Sequence, residues 1–78
     1  MSMTQMPQHH LDICDRFRLV RLERMETQLG FAELLGLTVS YVKMIEGRRV
    51  TPNIYAIKRL HKVCGKSYDW ILDGEGRK

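Results

Sequence analysis

Apolar residues recur along the chain in short runs at helical spacing, each bounded by turn signals. Ile13, Phe17, Val20 and Met25 suit one face of a helix over residues 11–25. Asp12 and Asp15 near its start and Arg21 and Arg24 near its end complement the helix dipole. Leu19 and Leu22 fall off the apolar face, as ordinary exposed leucines or as part of a partner surface. Thr27 is the expected N-cap of a second helix over residues 28–35, burying Phe31, Ala32 and Leu35 and ended by Gly36. Gly30 inside it costs roughly 1 kcal/mol against Ala, so that helix needs tertiary support. Thr38 caps a third helix over residues 39–46, with Val42 and Ile45 inward and Gly47 as the stop. Thr51-Pro52 reads as N-cap and first residue of a fourth helix, with Ile54, Ile57, Leu60 and Val63 buried and Gly65 as the end. Ser67 caps a short fifth helix through Tyr68, Trp70, Ile71 and Leu72.

No segment alternates with period two, so the expectation is an all-α, five-helix domain over residues 11–73. Residues 1–10 are polar and aperiodic and read as a disordered arm, and residues 74–78 read as a flexible tail. The second and third helices, two turns each and joined by Gly36-Leu37-Thr38, have the length and punctuation of a helix-turn-helix. Leu37, Val42 and Ile45 anchor the third helix. Val39, Ser40, Lys43 and Met44 then project from one side, suited to a DNA major groove.

Charge sharpens this reading. The chain of 78 residues carries 13 Lys and Arg against 9 Asp and Glu, a net +4 that says little by itself. Residues 37–62 hold six bases against the single acid Glu46, a net +5, while the rest sums to −1. The excess therefore covers the third helix, the loop after it and the fourth helix, which is either a solvated basic face or a polyanion footprint. The length suits one small domain, without space for a separate catalytic or sensing unit. No stretch is long and apolar enough to span a membrane, and residues 1–10 lack the features of a secretory signal, so a cytoplasmic location is expected. Cys14 and Cys64 read as buried thiols, and His9, His10, His61 and the cysteines lack metal-ligand spacing. No cofactor is expected, and no catalytic motif or phosphate-cradling glycine loop points to an enzyme.

The spacing of these pieces resembles that of the phage-repressor-like, Cro-type (XRE) helix-turn-helix DNA-binding domains. The resemblance is carried by Arg16-Phe17-Arg18-Leu19-Val20-Arg21, by Thr27-Gln28, Phe31-Ala32 and Leu35-Gly36-Leu37-Thr38, by Tyr41-Val42 and Ile45-Glu46, and by Pro52, Ile57, Leu60, Gly65, Ser67 and Asp69-Trp70-Ile71-Leu72. It implies a lambda-repressor-like fold, and Gln28 as a residue that touches phosphate and braces the recognition helix. It also implies Val39, Ser40, Lys43 and Met44 as base-facing positions, and Arg48, Arg49 and the start of the fourth helix as backbone contacts. Thr38 and Asn53, at the starts of the third and fourth helices, complete that DNA-binding set. Three departures stand out. Relatives place Gly two residues after the glutamate that matches Glu46, whereas here Gly47 follows it directly, leaving open which of Arg48 and Arg49 reaches phosphate. Glu26 stands where an apolar residue is usual, with Met25 expected to take over its packing. His61 stands where a small apolar residue is common, and reads as a partly exposed helix histidine.

Val39 and Met44 offer no base hydrogen bonds. Val39 suits a thymine methyl, while Met44 suits either a base or a neighbouring segment; Lys43 suits a guanine or a phosphate. Specificity should therefore be modest and supplemented by DNA shape. The resulting expectation is a sequence-specific transcriptional regulator, a repressor of phage or mobile-element type, binding double-stranded DNA as a homodimer. Leu19, Leu22, Tyr68, Trp70 and Ile71 are the candidate dimer interface, with core packing the favoured reading for Trp70 and Ile71. The alternative is an antitoxin-like module that binds a protein partner as well as DNA.

Overall fold

The computed structural model describes residues 12–76; the expected arm at residues 1–10 and the last two residues of the tail lie outside them. The described residues form five α-helices and no strand: α1 (Ile13–Glu23), α2 (Gln28–Leu35), α3 (Val39–Glu46), α4 (Ile54–Cys64) and α5 (Tyr68–Asp73). α2 and α3 match their expected bounds. Around them, α3 and α5 pack on α1, and α2 and α5 pack on α4.

The caps explain where the helices begin. Asp12 and Asp15 form a reciprocal capping box at the start of α1. The Thr27 and Thr38 hydroxyls accept from the backbone N–H groups of Gly30 and Tyr41. Gly36 takes φ +71° at the end of α2, and the Leu37 N–H beyond it donates back to the Ala32 carbonyl at 2.8 Å. That reversal sets the direction in which α3 departs.

The core joins Phe17 and Val20 of α1, Phe31, Ala32 and Leu35 of α2, Val42 and Ile45 of α3, Ile57 and Leu60 of α4, and Trp70 and Ile71 of α5. Phe17 and Phe31 meet edge to face, with ring centroids 5.2 Å apart. Leu19, Leu37, Val39 and Val63 pack against this core while staying partly accessible.

Three expectations fail here. α1 stops at Glu23, and Met25 enters the left-handed region (φ +56°) with 92% of its surface exposed. It therefore packs against nothing in place of an apolar residue at position 26. The cap of α4 is Asn53 rather than Thr51, because the Asn53 side-chain oxygen accepts from the Ala56 N–H at 2.9 Å. Pro52 is buried ahead of the helix instead of opening it. With the start shifted, Ile54 points outward at 65% exposure, and Ala56 takes the inward position.

Arg16 is buried, a feature that the charge pattern of the first helix did not reveal. Its Nε–H donates to the Ile71 carbonyl at 2.9 Å and its Nη2–H to the Leu72 carbonyl at 2.8 Å. These bonds satisfy carbonyls in the last turn of α5 and seat that helix on α1.

Candidate nucleic-acid interface

α3 has two distinct sides. Val42 and Ile45 are fully buried, and Val39 and Tyr41 are half-buried at the margins. Ser40, Lys43 and Met44 are exposed, and their spacing of three and four residues places them on one helix face. The structure thus presents the three as a group, with Val39 contributing only a partly accessible edge. Thr38 is exposed, but its hydroxyl is engaged in capping α3.

The placement of α3 rests on polar ties at both ends. The Asn53 N–H donates to the Tyr41 hydroxyl at 2.7 Å, joining α3 to the start of α4. The Arg59 Nε–H donates to the Leu35 carbonyl at 3.1 Å, joining α4 to the end of α2. At the C-terminal end of α3 stands Glu46, whose side chain is only 5% exposed. Arg21 grips it with a planar fork: Nε–H donates to Oε2 at 2.7 Å and Nη2–H to Oε1 at 2.8 Å. The remaining Arg21 donor, Nη1–H, reaches the Glu26 carbonyl at 2.9 Å. Gln28 Nε2–H donates to Glu46 Oε1 at 3.0 Å, and the more exposed Arg18 approaches the same oxygen at 3.8 Å. Hydrogen bonding to Glu46 outweighs burial and pushes the Arg21 pKa up. Gln28 therefore does touch the third helix, through the carboxylate at its far end.

Sequence reasoning missed this cluster. A signal was present: Glu46 is the one acid in a basic stretch, and it follows the core residue Ile45. An acid so placed needs a cationic partner.

The loop between α3 and α4 also departs from expectation. Gly47 has an ordinary φ of −83°. The left-handed residue is Arg48, at φ +62°, two positions after Glu46. Arg48 is directed to acids: Nη2–H donates to Asp15 Oδ2 at 2.6 Å and to Oδ1 at 2.8 Å, Nε–H donates to Oδ1 at 3.2 Å, and Asp12 lies 3.9 Å away. Burial works to raise the Asp15 pKa, but Arg48 and the hydrogen bonds with Asp12 outweigh it and hold it below the usual carboxylate value. Arg49 is exposed, and among the described residues its guanidinium has no hydrogen bond or ion pair. Asn53 is exposed, with its side-chain oxygen used in the cap.

The candidate interface residues away from α3 separate. Leu19 and Leu22, with Asp15, Arg18 and Arg48, line a shallow groove of about 230 Å³. Tyr68 is part-exposed and stacks on His61, centroids 4.0 Å apart. Trp70 and Ile71 are 4% and 1% exposed, so core packing removes both from any interface surface. Cys14 is buried, and its Sγ–H donates to the Val50 carbonyl at 3.3 Å; Cys64 is half-buried, and both thiols are free. Burial pushes both thiol pKa values up. Among the described residues, no helix is long and apolar enough to cross a membrane.

The buried glutamate at the end of α3, the left-handed turn before α3 and the exposed face of that helix together describe a helix-turn-helix. The helix-turn-helix family profile HTH_3 matches residues 17–71, well over half of the chain, and the chain belongs to that family. Among solved structures, the fold is similar to the P22 c2 repressor protein, determined in complex with synthetic operator 9T in the presence of Tl+. That likeness has a TM-score of 0.74 at 22% identity, over 83% of this chain and 98% of that one. No curated protein matches the sequence.

Proposed function

We propose that the protein is a DNA-binding transcriptional regulator, a repressor of the phage or mobile-element kind, that inserts α3 into the major groove. The observation that carries this reading is the two-sided α3: a core-anchored inner side, and an exposed face of Ser40, Lys43 and Met44 within a segment of net charge +5. Family membership supports it, as does a fold shared with a repressor solved in complex with a synthetic operator. Lys43 and Met44 face the bases, with Ser40 a permissive contact, and Arg49 neutralises phosphate. One such domain spans a single half-site, so the reading extends to a homodimer on a pseudo-palindrome with half-sites about 34 Å apart. Leu19, Leu22 and Tyr68 are the remaining surface candidates for its interface.

A second reading is a protein-interaction module of antitoxin type that also binds DNA. It is favoured by exposed Leu22, Met25 and Leu29 around the α1–α2 corner, apolar surface that the fold itself does not use.

Selection of bound sites from random DNA, followed by a salt titration, tests the proposal. The selected site should show two-fold symmetry, and log K against log[salt] should slope by about −0.9 per phosphate neutralised. A flat salt response would remove the DNA reading and leave the protein-interaction one.

A further inference from the structure

We infer that Arg48 is a positioning residue and not a phosphate contact: clipped to Asp15 and Asp12, it fixes the α3–α4 loop so that Arg49 is the loop's phosphate-neutralising cation. The inference rests on the DNA-binding reading above and adds a division of labour between two adjacent arginines that their sequence does not distinguish.

The geometry of the loop carries it. The left-handed Arg48 folds the chain back, with the Arg48 N–H donating to the Ile45 carbonyl and the Arg49 N–H to the Met44 carbonyl, both at 2.9 Å. Two further links then tie the loop to the first turn of α1. One is the fork of Arg48 on Asp15; the other is the Cys14 thiol on the Val50 carbonyl. They bracket Arg49, so the origin of its exposed side chain is held from both sides. For Arg48 to turn its Nε–Nη2 edge to a phosphate it would have to leave three charge-assisted bonds on a carboxylate. Asp12 and Asp15 would then stand uncovered near the polyanion, so release of Arg48 adds repulsion to the loss of the bonds. Arg49 faces neither cost.

Salt-dependent anisotropy on the selected duplex separates the two roles. Arg49→Ala should weaken binding and flatten the log–log salt slope by about 0.9. Arg48→Ala should weaken binding by about three- to tenfold, the range for loss of a hydrogen-bonded tie, with the slope unchanged. Arg48→Lys should lose a comparable amount, because an ammonium keeps the charge but not the fork. Asp15→Asn should weaken binding too, and add little to Arg48→Ala. The inference is overturned if Arg48→Ala flattens the slope while Arg48→Lys binds as wild type, or if Asp15→Asn tightens binding by releasing Arg48 to phosphate. A second measurement needs no DNA. In a Cys64→Ser background, Arg48→Ala and Asp15→Asn should speed Cys14 reaction with a thiol reagent, since the clipped loop covers that thiol; unchanged rates contradict the brace. If the wild type binds no duplex, the DNA reading and the role of Arg49 fall, while the thiol rates still judge the brace.

Discussion

Arg21→Met is the most revealing single perturbation of this fold, because it strands Glu46. The Glu46 carboxylate is 5% exposed, and two of its closest hydrogen bonds come from the Arg21 fork. After the substitution Gln28 remains at 3.0 Å, and Arg18 remains at 3.8 Å but more than half exposed. Removing one member of a buried pair typically costs 3–5 kcal/mol, and these residual partners place the loss near the lower end, about 3 kcal/mol. A chain of this length has a total stability of about 4–12 kcal/mol, so the variant retains little margin. Urea unfolding followed by circular dichroism and by the fluorescence of Trp70, the only tryptophan and a buried one, measures the loss. With a slope near 1 kcal/mol per molar urea for a small domain, the midpoint should fall by roughly 3 M. Arg21→Met combined with Glu46→Leu should recover most of that loss, because no charge is then left buried. A single-variant cost below about 1 kcal/mol, the worth of an exposed pair, would refute the reasoning. So would a double variant no more stable than the single one.

Other consequences follow from local geometry. Asn53→Ala should cost about 1 kcal/mol by removing the α4 cap, whereas Thr51→Ala should stay within about 0.5 kcal/mol; the reverse order in thermal or urea melts would restore Thr51 as the cap. Met25→Gly should stabilise the domain by up to about 1 kcal/mol, since it relieves a left-handed backbone and removes a side chain that packs on nothing; destabilisation in the same melts would contradict this. Asp15 ionises more readily in the fold than in the unfolded chain, so its contribution is complete above the unfolded value of about 3.9 and is lost as pH falls through the lower folded value. Asp15→Asn should therefore flatten that part of the acid-denaturation curve, and a curve of unchanged shape would count against the pairing with Arg48.

The parts of the fold that could be read from sequence are those decided locally. Thr27 and Thr38 ahead of apolar runs, with Gly36 between them, place α2 and α3 to the residue, because cap and turn chemistry act within a few positions. Where two local signals compete, tertiary contacts decide. Thr51 and Asn53 both suit an N-cap, and the choice follows from the Asn53 N–H meeting a tyrosine hydroxyl from α3 and from Pro52 being buried. The exposed α3 residues follow from helical periodicity, but the means by which that helix is held do not. Arg16, Arg21 and Arg48 look alike in the sequence. One closes the end of α5, one holds a buried carboxylate, and one adopts a glycine-like backbone while it binds the first turn of α1. Those roles depend on partners 25 to 56 residues distant in sequence.

The proposed role of α3 is to read DNA with its exposed face. Its most direct test is an anisotropy titration of wild type and Lys43→Ala on the selected site and on a set with one base pair changed at a time. Lys43 is exposed, so the substitution should leave the fold intact, which circular dichroism verifies. If Lys43 reads a base, its loss should erase about 1–3 kcal/mol of discrimination at one position of the site and leave the other positions as they were. Binding to every duplex unchanged by the substitution would contradict the claim that this face of α3 meets DNA.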